Sequence, residues 1–365
     1  MNCLQDEWPE PVVRVQSLSE SGQSTIPDRY IKPLAQRPAI DFINNDGGGG
    51  GEDMNIPLID LEPLNGDDAI LKTRVLESIS EACKEWGFFQ VINHGVRPEL
   101  MDQTQHVWRS FFHLSMEEKE AHSNSPKTYE GYGSRLGVQK GAILDWGDYY
   151  FLHCLPLRLK DYNKWPSSPP SFREVLDEYS EGVMKLCSNL LRFMSTNLGL
   201  RQDYLQNAFG GHDIGSCLRA NFYPKCPQPE LTLGLSSHSD PGGLTLLLPD
   251  QHVAGLQVRK DGKWLTVKPA SHAFIVNIGD QVEVMSNGIY KSVEHRVITN
   301  SNNERLSIAF FYNPKSDLLI QPARELVTPD QPSMYDVMTF DQYRLYIRTR
   351  GPQGKSQVES LKSPR

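Results

Sequence analysis

The 365-residue chain has no run of 18 apolar residues, so no helix of it is expected to span a membrane. It has no Lys/Arg block and no basic tail. Its 37 basic residues stand against 45 acidic ones, a formal charge of -8. Nucleic acid and anionic membrane surfaces are therefore poor matches as partners. The six cysteines (Cys3, Cys83, Cys154, Cys187, Cys217, Cys226) are scattered and form no Cys-x-x-Cys pair. In a chain this long they read as free thiols of a reducing compartment, not as a disulfide frame. The start, MNCLQDEWPEPVVRV, lacks a basic stretch followed by an apolar run, so no secretory signal is expected. There are no internal repeats. The expectation is a cytoplasmic monomer, with the nucleus as the alternative location.

What is present falls into five stretches. Residues 1–53 are a polar arm with an apolar beat (Val12, Val13, Val15, Leu18), ending in the glycine run Gly47 to Gly51. Five glycines cannot hold one conformation cheaply, and no strand-then-helix pattern flanks them, so they read as a disordered loop and not a phosphate cradle. Residues 54–165 mix short strands and helices. A helix from Asp67 and Asp68 to about Glu85 carries Ile70, Val75, Ile79 and Ala82 on its apolar face. A strand over residues 87–94 and helices from Pro98 and Met116 follow. Residues 123–145, rich in Gly and Tyr, read as a loop, and strand character returns at 145–151. Residues 166–210 hold the longest helical pattern, Phe172 to Leu198, a packing spine. Residues 211–316 change character. Short strand-like pieces follow one another (218–223, 231–236, 244–248, 256–259, 264–267, 274–277, 292–297, 305–311), with another at 318–321. Asp261-Gly262, Ile278-Gly279-Asp280 and Asn300 to Asn303 punctuate them. Residues 317–365 end in a helix read over Met334 to Arg350. Many short strands at this spacing argue a sandwich or jelly roll.

The chemistry-bearing residues lie in the strand-rich half. His238-Ser239-Asp240 is followed by His295, 55 residues after Asp240, and then by Arg305-x-Ser307. A lone His-x-Asp is ordinarily a surface pair. Two imidazoles and a carboxylate, however, suit a divalent first-row metal, and on one face of an octahedron they point to non-haem Fe(II). At a strand end, alternation sends His238 and Asp240 to one side, and His295 must arrive from another strand. Arg305 and Ser307 share a face. A planar, always-charged guanidinium beside a hydroxyl suits a carboxylate, and lysine offers no such fork. A zinc hydrolase would use the three ligands but would not need Arg305-x-Ser307.

In the strand 218–223, Arg219, Asn221 and Tyr223 alternate onto one face and Leu218, Ala220 and Phe222 onto the other. Arg344 and Arg348 are four apart, with Phe340 one turn earlier. The plain readings are an Arg219 paired with a structural acid and a solvated basic face on the last helix. The other eight histidines (His94, His106, His113, His122, His153, His212, His252, His272) have no carboxylate at ligand spacing and read as structural or exposed.

These motifs resemble the 2-oxoglutarate/Fe(II)-dependent dioxygenases of plants over about residues 54 to 350. His238-x-Asp240…His295 matches the family's iron triad and Arg305-x-Ser307 its cofactor carboxylate site. Asn221-Phe-Tyr223-Pro and Trp86-Gly-Phe-Phe-Gln-Val-Ile-Asn-His94-Gly match further segments. Within the family the chain is similar to the jasmonate-induced oxygenases. The resemblance implies an α+β fold: a double-stranded β-helix (jelly-roll) core flanked by helices, with the C-terminal helix over the mouth. It implies catalysis at His238, Asp240 and His295. Fe(II), 2-oxoglutarate and dioxygen would be used, with ascorbate as reductant, and Asn221, Tyr223, Arg305 and Ser307 would touch the cosubstrate. Arg219, Arg344 and Arg348 would hold the carboxylate of jasmonic acid, with Phe340 and Phe311 against its apolar body; core packing is the alternative for Phe311. The expected product is 12-hydroxyjasmonate, which would lower jasmonate signalling and defence. A gibberellin-like acid, a flavonoid, or a non-catalytic acid-binding protein of the same fold are the competing readings. Three spare arginines would be odd for a flavonoid, which has no carboxylate.

Overall fold

The computed structural model describes residues 7–39 and 55–362. The glycine run 47–51 lies outside the described residues. The arm carries a short helix, α1 (Val15–Glu20), and single turns at Asp28–Tyr30 and Leu34–Gln36. Sequence pattern alone missed α1, because its N-terminus is capped from far away: Asp148 accepts from the backbone N–H of Val15 and Gln16, each at 2.9 Å.

The next segment runs β1 (Leu58–Asp60), α2 (Ala69–Glu85), β2 (Phe88–Ile92), α3 (Pro98–Phe112), α4 (Met116–Glu120), β3 (Gly131–Gly133) and β4 (Asp148–Leu155). Asp68 starts α2 by accepting from the N–H groups of Ile70 and Leu71. Ile70 is itself 66% exposed, so the buried face of α2 begins lower, at Ile79, Ala82 and Cys83. Pro98 opens α3 and a Ser115/Glu118 capping box opens α4. The spine is α5 (Phe172–Asn197), followed by α6 (Tyr204–Ala208). Its stripe Leu176, Tyr179, Val183, Leu186, Leu190 and Met194 is buried.

The second half supplies β5 (Gly215–Tyr223), β6 (Leu235–His238), β7 (Leu244–Leu248), β8 (Leu256–Lys260), β9 (Lys263–Thr266), β10 (Phe274–Ile278), α7 (Asp280–Met285), β11 (His295–Val297), β12 (Arg305–Asn313) and β13 (Leu319–Ile320). Then come β14 (Met338–Thr339), α8 (Phe340–Arg350) and α9 (Ser356–Glu359). Several of these depart from the sequence reading, three of them for a clear local reason. β6 starts at Leu235, not 231, because Pro229–Leu231 makes a single turn. α7 stands where the Ile278-Gly279-Asp280 signal implies a turn; every one of its six residues is buried, so it has no amphipathic period to find. α8 starts at Phe340, not Met334, because Thr339 and Gln342 form a capping box there.

The strands make a major sheet, β1-β2-β10-β7-β12-β5-β4-β3, and a minor sheet, β6-β11-β8-β9. All pairings but β1–β2 are antiparallel. Period-2 alternation explains the layering. Leu218, Ala220, Phe222, Leu246, Val276, Ile308 and Phe310 join α3 and the spine in one large core on the outer face of the major sheet. Phe88, Ile275, Leu256 and Val258 fill one end of the space between the sheets. The other end of that inner layer holds the polar residues of β5, β7, β10 and β12. This is the jelly roll expected from the strand spacing.

Candidate metal centre and adjoining cavity

His238 ends β6 and His295 begins β11, and the two are direct partners in the antiparallel pair. Asp240 follows β6 by two residues. The Nε2 atoms of His238 and His295 lie 3.5 and 3.6 Å from Asp240 Oδ1. One ligand atom from each residue falls within 4.8 Å of the others, a spacing that can hold a metal ion. Each imidazole has its other nitrogen on a backbone carbonyl: His238 Nδ1 on Ser236 at 2.8 Å and His295 Nδ1 on Val293 at 3.2 Å. The carbonyls fix the tautomer and turn each Nε2 lone pair toward the shared point. Burial, with His238 beside it, pushes His295 down to about 4. Burial also disfavours charge on His238, but the Asp240 hydrogen bond and charge outweigh it and raise that group. Burial opposes ionisation of Asp240, yet the two imidazoles hold its carboxyl well below the usual range.

Two residues that sequence reasoning missed orient the carboxylate. Asp240 Oδ2 accepts from Thr245 Oγ1 at 2.6 Å and from Asn277 Nδ2 at 2.5 Å. Thr245 and Asn277 are register partners on β7 and β10 and share the inner face. Their sequence signal is a polar side chain at an inward position of an otherwise apolar strand.

Beside the triad, β5 and β12 place four expected residues as a block. Arg305 is opposite Tyr223 and Ser307 is opposite Asn221. Arg305 is 3% exposed, yet no carboxylate ion-pairs with it among the described residues. Its Nε donates to the Val253 carbonyl and its Nη1 to Ser307 Oγ, both at 3.2 Å. The nearby Asp250 is spent on Arg109 and on the N–H groups of Leu306, His252 and Val253. A buried guanidinium in this state suits an anionic ligand. Two glycines make the packing possible. A Cβ on Gly255 would lie 2.9 Å from Arg305 Cδ, and one on Gly234 would lie 2.6 Å from the Tyr223 ring.

A cavity of about 250 Å³ opens from His238 and Asp240 toward α8. Arg219, Phe311, Phe340, Arg344 and Arg348 all line it, so α8 turns its arginines to the cavity and not to solvent alone. Arg344 Nη2 also ion-pairs with Asp341 at 2.6 Å. Arg219 lies over the Tyr149 ring at 4.3 Å, and its buried Nε has no hydrogen-bond partner. Arg348 lies 5.7 Å over the Tyr129 ring; burial and the neighbouring Arg344 push it down to about 10. Asn221 and Tyr223, with Arg219, line a smaller cavity of about 70 Å³.

The comparisons with known proteins agree with this geometry. A family model described as the 2OG-Fe(II) oxygenase superfamily matches residues 214–314, and one described as the non-haem dioxygenase in morphine synthesis N-terminal matches residues 56–168. Jasmonate-induced oxygenase 2 of Arabidopsis thaliana is 63% identical over 99% of this chain and 95% of that protein. The chain belongs to the 2OG-Fe(II) oxygenase superfamily. Among the oxygenases it resembles, Flavanone 3-dioxygenase 2 of Oryza sativa subsp. japonica is 39% identical over 90% of this chain and 92% of that one. The crystal structure of JOX2 in complex with 2OG, Fe and JA superposes with a TM-score of 0.90 at 64% identity, covering 98% of this chain and 100% of that chain. Fe(II) and 2-oxoglutarate are thus the cofactor and cosubstrate of this oxygenase, and its fold is the jelly roll of its relatives.

His153, expected from the sequence to be structural or exposed, lines the oxygenase cavity, opposite Cys217 on β5. Burial, with Arg344 and Arg348 nearby, pushes it down to about 4, so it is neutral at ordinary pH. Phe151, the register partner of Arg219, and Tyr129 also line the cavity and were not singled out from sequence. No helix among the described residues is long and apolar enough to cross a membrane.

Proposed function

We propose that this oxygenase hydroxylates jasmonic acid at the end of its pentenyl chain, giving 12-hydroxyjasmonate. His238, Asp240 and His295 hold the metal. Arg305, Ser307, Tyr223 and Asn221 hold the far carboxylate of 2-oxoglutarate. When bound, the iron with 2-oxoglutarate and dioxygen supplies the oxidation that inserts one oxygen atom into an unactivated C–H bond, with succinate and CO2 released. The protein's own contribution is positioning. Arg219, Arg344 and Arg348 anchor the substrate carboxylate, and Phe311, Phe340 and the inner sheet face contain its apolar body and exclude water. Fixing the acid end determines which distant carbon meets the metal.

One observation carries the choice of an acid. Arg219 and Arg348 lie on aromatic rings, without carboxylate partners among the described residues, in the cavity that reaches His238 and Asp240. A flavonoid would leave both charges unbalanced. The similarity to jasmonate-induced oxygenases supports jasmonic acid within that class. The reaction would lower jasmonate and with it defence signalling. The five described cysteines are free and buried, which supports a reducing, cytoplasmic setting.

The test is mass-spectrometric. The protein is incubated with Fe(II), 2-oxoglutarate, ascorbate and a panel of jasmonic acid, a gibberellin-like acid and a flavonoid. Jasmonic acid should gain one oxygen, with matching succinate. Unchanged jasmonic acid beside another oxidised compound would overturn the substrate assignment. Binding of the acid with no succinate would make the chain a non-catalytic binder.

A further inference from the structure

The first of the two family-matched segments starts at residue 56 and the second at 214, and the arm lies before both. Yet the arm reaches the cavity wall. Trp8 sets its ring edge-on to Tyr129, 5.5 Å between centroids at 80°. Tyr129 is 7% exposed, has a positive φ of 57°, and lines the cavity. Its hydroxyl donates to the Arg348 carbonyl at 3.3 Å, and its ring lies under the Arg348 guanidinium. Two residues on, the Glu10 carboxylate accepts from Arg135 Nη1 and from the Gly141 N–H, each at 3.0 Å, and ion-pairs with Arg29. The Arg135 carbonyl accepts from the Tyr149 hydroxyl at 2.9 Å, and Tyr149 is the ring under Arg219. The arm therefore braces both aromatic plates on which the unpaired guanidiniums rest.

We propose that the N-terminal arm is a specificity-determining wall of the substrate site, with Trp8 and Glu10 as positioning residues that fix Arg348 and Arg219 through Tyr129 and Tyr149. The proposal rests on the reading of those arginines as carboxylate anchors. The physical reason is geometric. A guanidinium held by an acid has a fixed place but a neutralised charge. One held on a ring keeps its N–H groups for a ligand, and its place is then only as fixed as the ring. Tyr129 occupies a backbone conformation costly for a non-glycine residue, a cost that its own turn (Tyr129 N–H to the Ser125 carbonyl, 2.9 Å) and contacts from outside offset. Trp8 supplies one such contact. It is not what docks the arm. Val15, Ile26 and Tyr30 bury themselves in a separate core with Leu144 and Trp146, and Asp148 caps α1.

Trp8→Ala should raise the KM for jasmonate about two- to tenfold, the range an edge-to-face ring pair commands. It should leave kcat, the KM for 2-oxoglutarate and iron content near wild type, and Trp8→Phe should restore the jasmonate KM. A merely structural role would lower the active fraction, and so kcat, without moving KM. Amide hydrogen exchange of the same variant is the second readout, with faster exchange expected over residues 340–350. An unchanged jasmonate KM in an active Trp8→Ala enzyme overturns the proposal, as does failure of Trp8→Phe to restore it. If the wild-type chain does not oxidise jasmonate, faster exchange in Trp8→Ala upholds the bracing role while the substrate reading falls. Unchanged exchange overturns the bracing role whatever the substrate is.

Discussion

Replacing Arg219 with methionine separates binding from stability. Methionine keeps an unbranched apolar stem and can still pack on the Tyr149 ring. What is lost is the charge and its N–H groups. A hydrogen bond from a charged group to a carboxylate contributes about 1.5–3 kcal/mol, roughly a ten- to hundredfold rise in the jasmonate KM. The KM for 2-oxoglutarate should change much less, because Arg219 stands opposite Ala309 on the β5–β12 ladder, two and four residues along β12 from Ser307 and Arg305. The stability side is the sharper test. Among the described residues no carboxylate ion-pairs with Arg219, and its Nε is buried without a partner, so its removal orphans no buried charge there. The loss is one cation–π contact, about 0.5–1 kcal/mol, offset by relief of a buried unpaired donor. The melting temperature should stay within about 2–4 °C of wild type. Arg109→Met is the control. Arg109 pairs with Asp250, whose side chain is fully buried, so that variant should lose about 1–3 kcal/mol; the pair is discounted because Arg109 is 32% exposed. Steady-state kinetics with both substrates and a thermal melt on each variant decide it. An unchanged jasmonate KM, or a collapse in stability like that of a core lesion, would refute the account of Arg219 as a guanidinium held in reserve for an anion.

Three further outcomes follow from the site. Thr245→Val removes the hydroxyl on Asp240 Oδ2 at nearly constant volume and should weaken Fe(II) binding roughly tenfold or more, read by metal titration; wild-type affinity would mean that Thr245 does not orient the ligand. Arg305→Lys should raise the KM for 2-oxoglutarate about tenfold or more while sparing the jasmonate KM, and equal effects on both would break the division of labour among the arginines. Asp280 is buried against Ser239, Ser292 and Tyr343; burial, helped by Glu283, raises its carboxyl from 3.8 to about 7. Between those values the folded state holds a proton that the unfolded state has released, so wild-type stability should fall as pH rises from about 4 to 7. Urea unfolding of Asp280→Asn should lack that component, and an identical pH dependence in both proteins would refute it.

The jelly roll was legible because its strands alternate cleanly. Leu218, Ala220 and Phe222 face the helices while Arg219, Asn221 and Tyr223 face inward, as period-2 spacing requires. The spine helix was legible from its unbroken apolar stripe. Failures occurred where local signals were absent. α1 depends on a cap supplied by Asp148 across the chain, and α7 is buried on every side. Ile70 fits the apolar period of α2 but lies on its first turn, beyond the body that buries the rest.

The site divides the same way. Residue types and spacing single out His238, Asp240, His295, Arg305 and Ser307 as candidates, because metal and carboxylate chemistry demand those groups and a strand keeps i and i+2 on one face. Spacing could not say which second residues hold them. Thr245 and Asn277 are neighbours only through the register of β7 with β10, Tyr149 meets Arg219 through the register of β4 with β5, and Tyr129 meets Arg348 only after the loop before β4 and α8 have packed. The sequence by itself determined which residues are candidates for the reaction centre. The tertiary structure alone decided that Arg219 and Arg348 are stacked on rings with no acid paired to them among the described residues, since an ion pair or its absence is a property of what packing brings within reach.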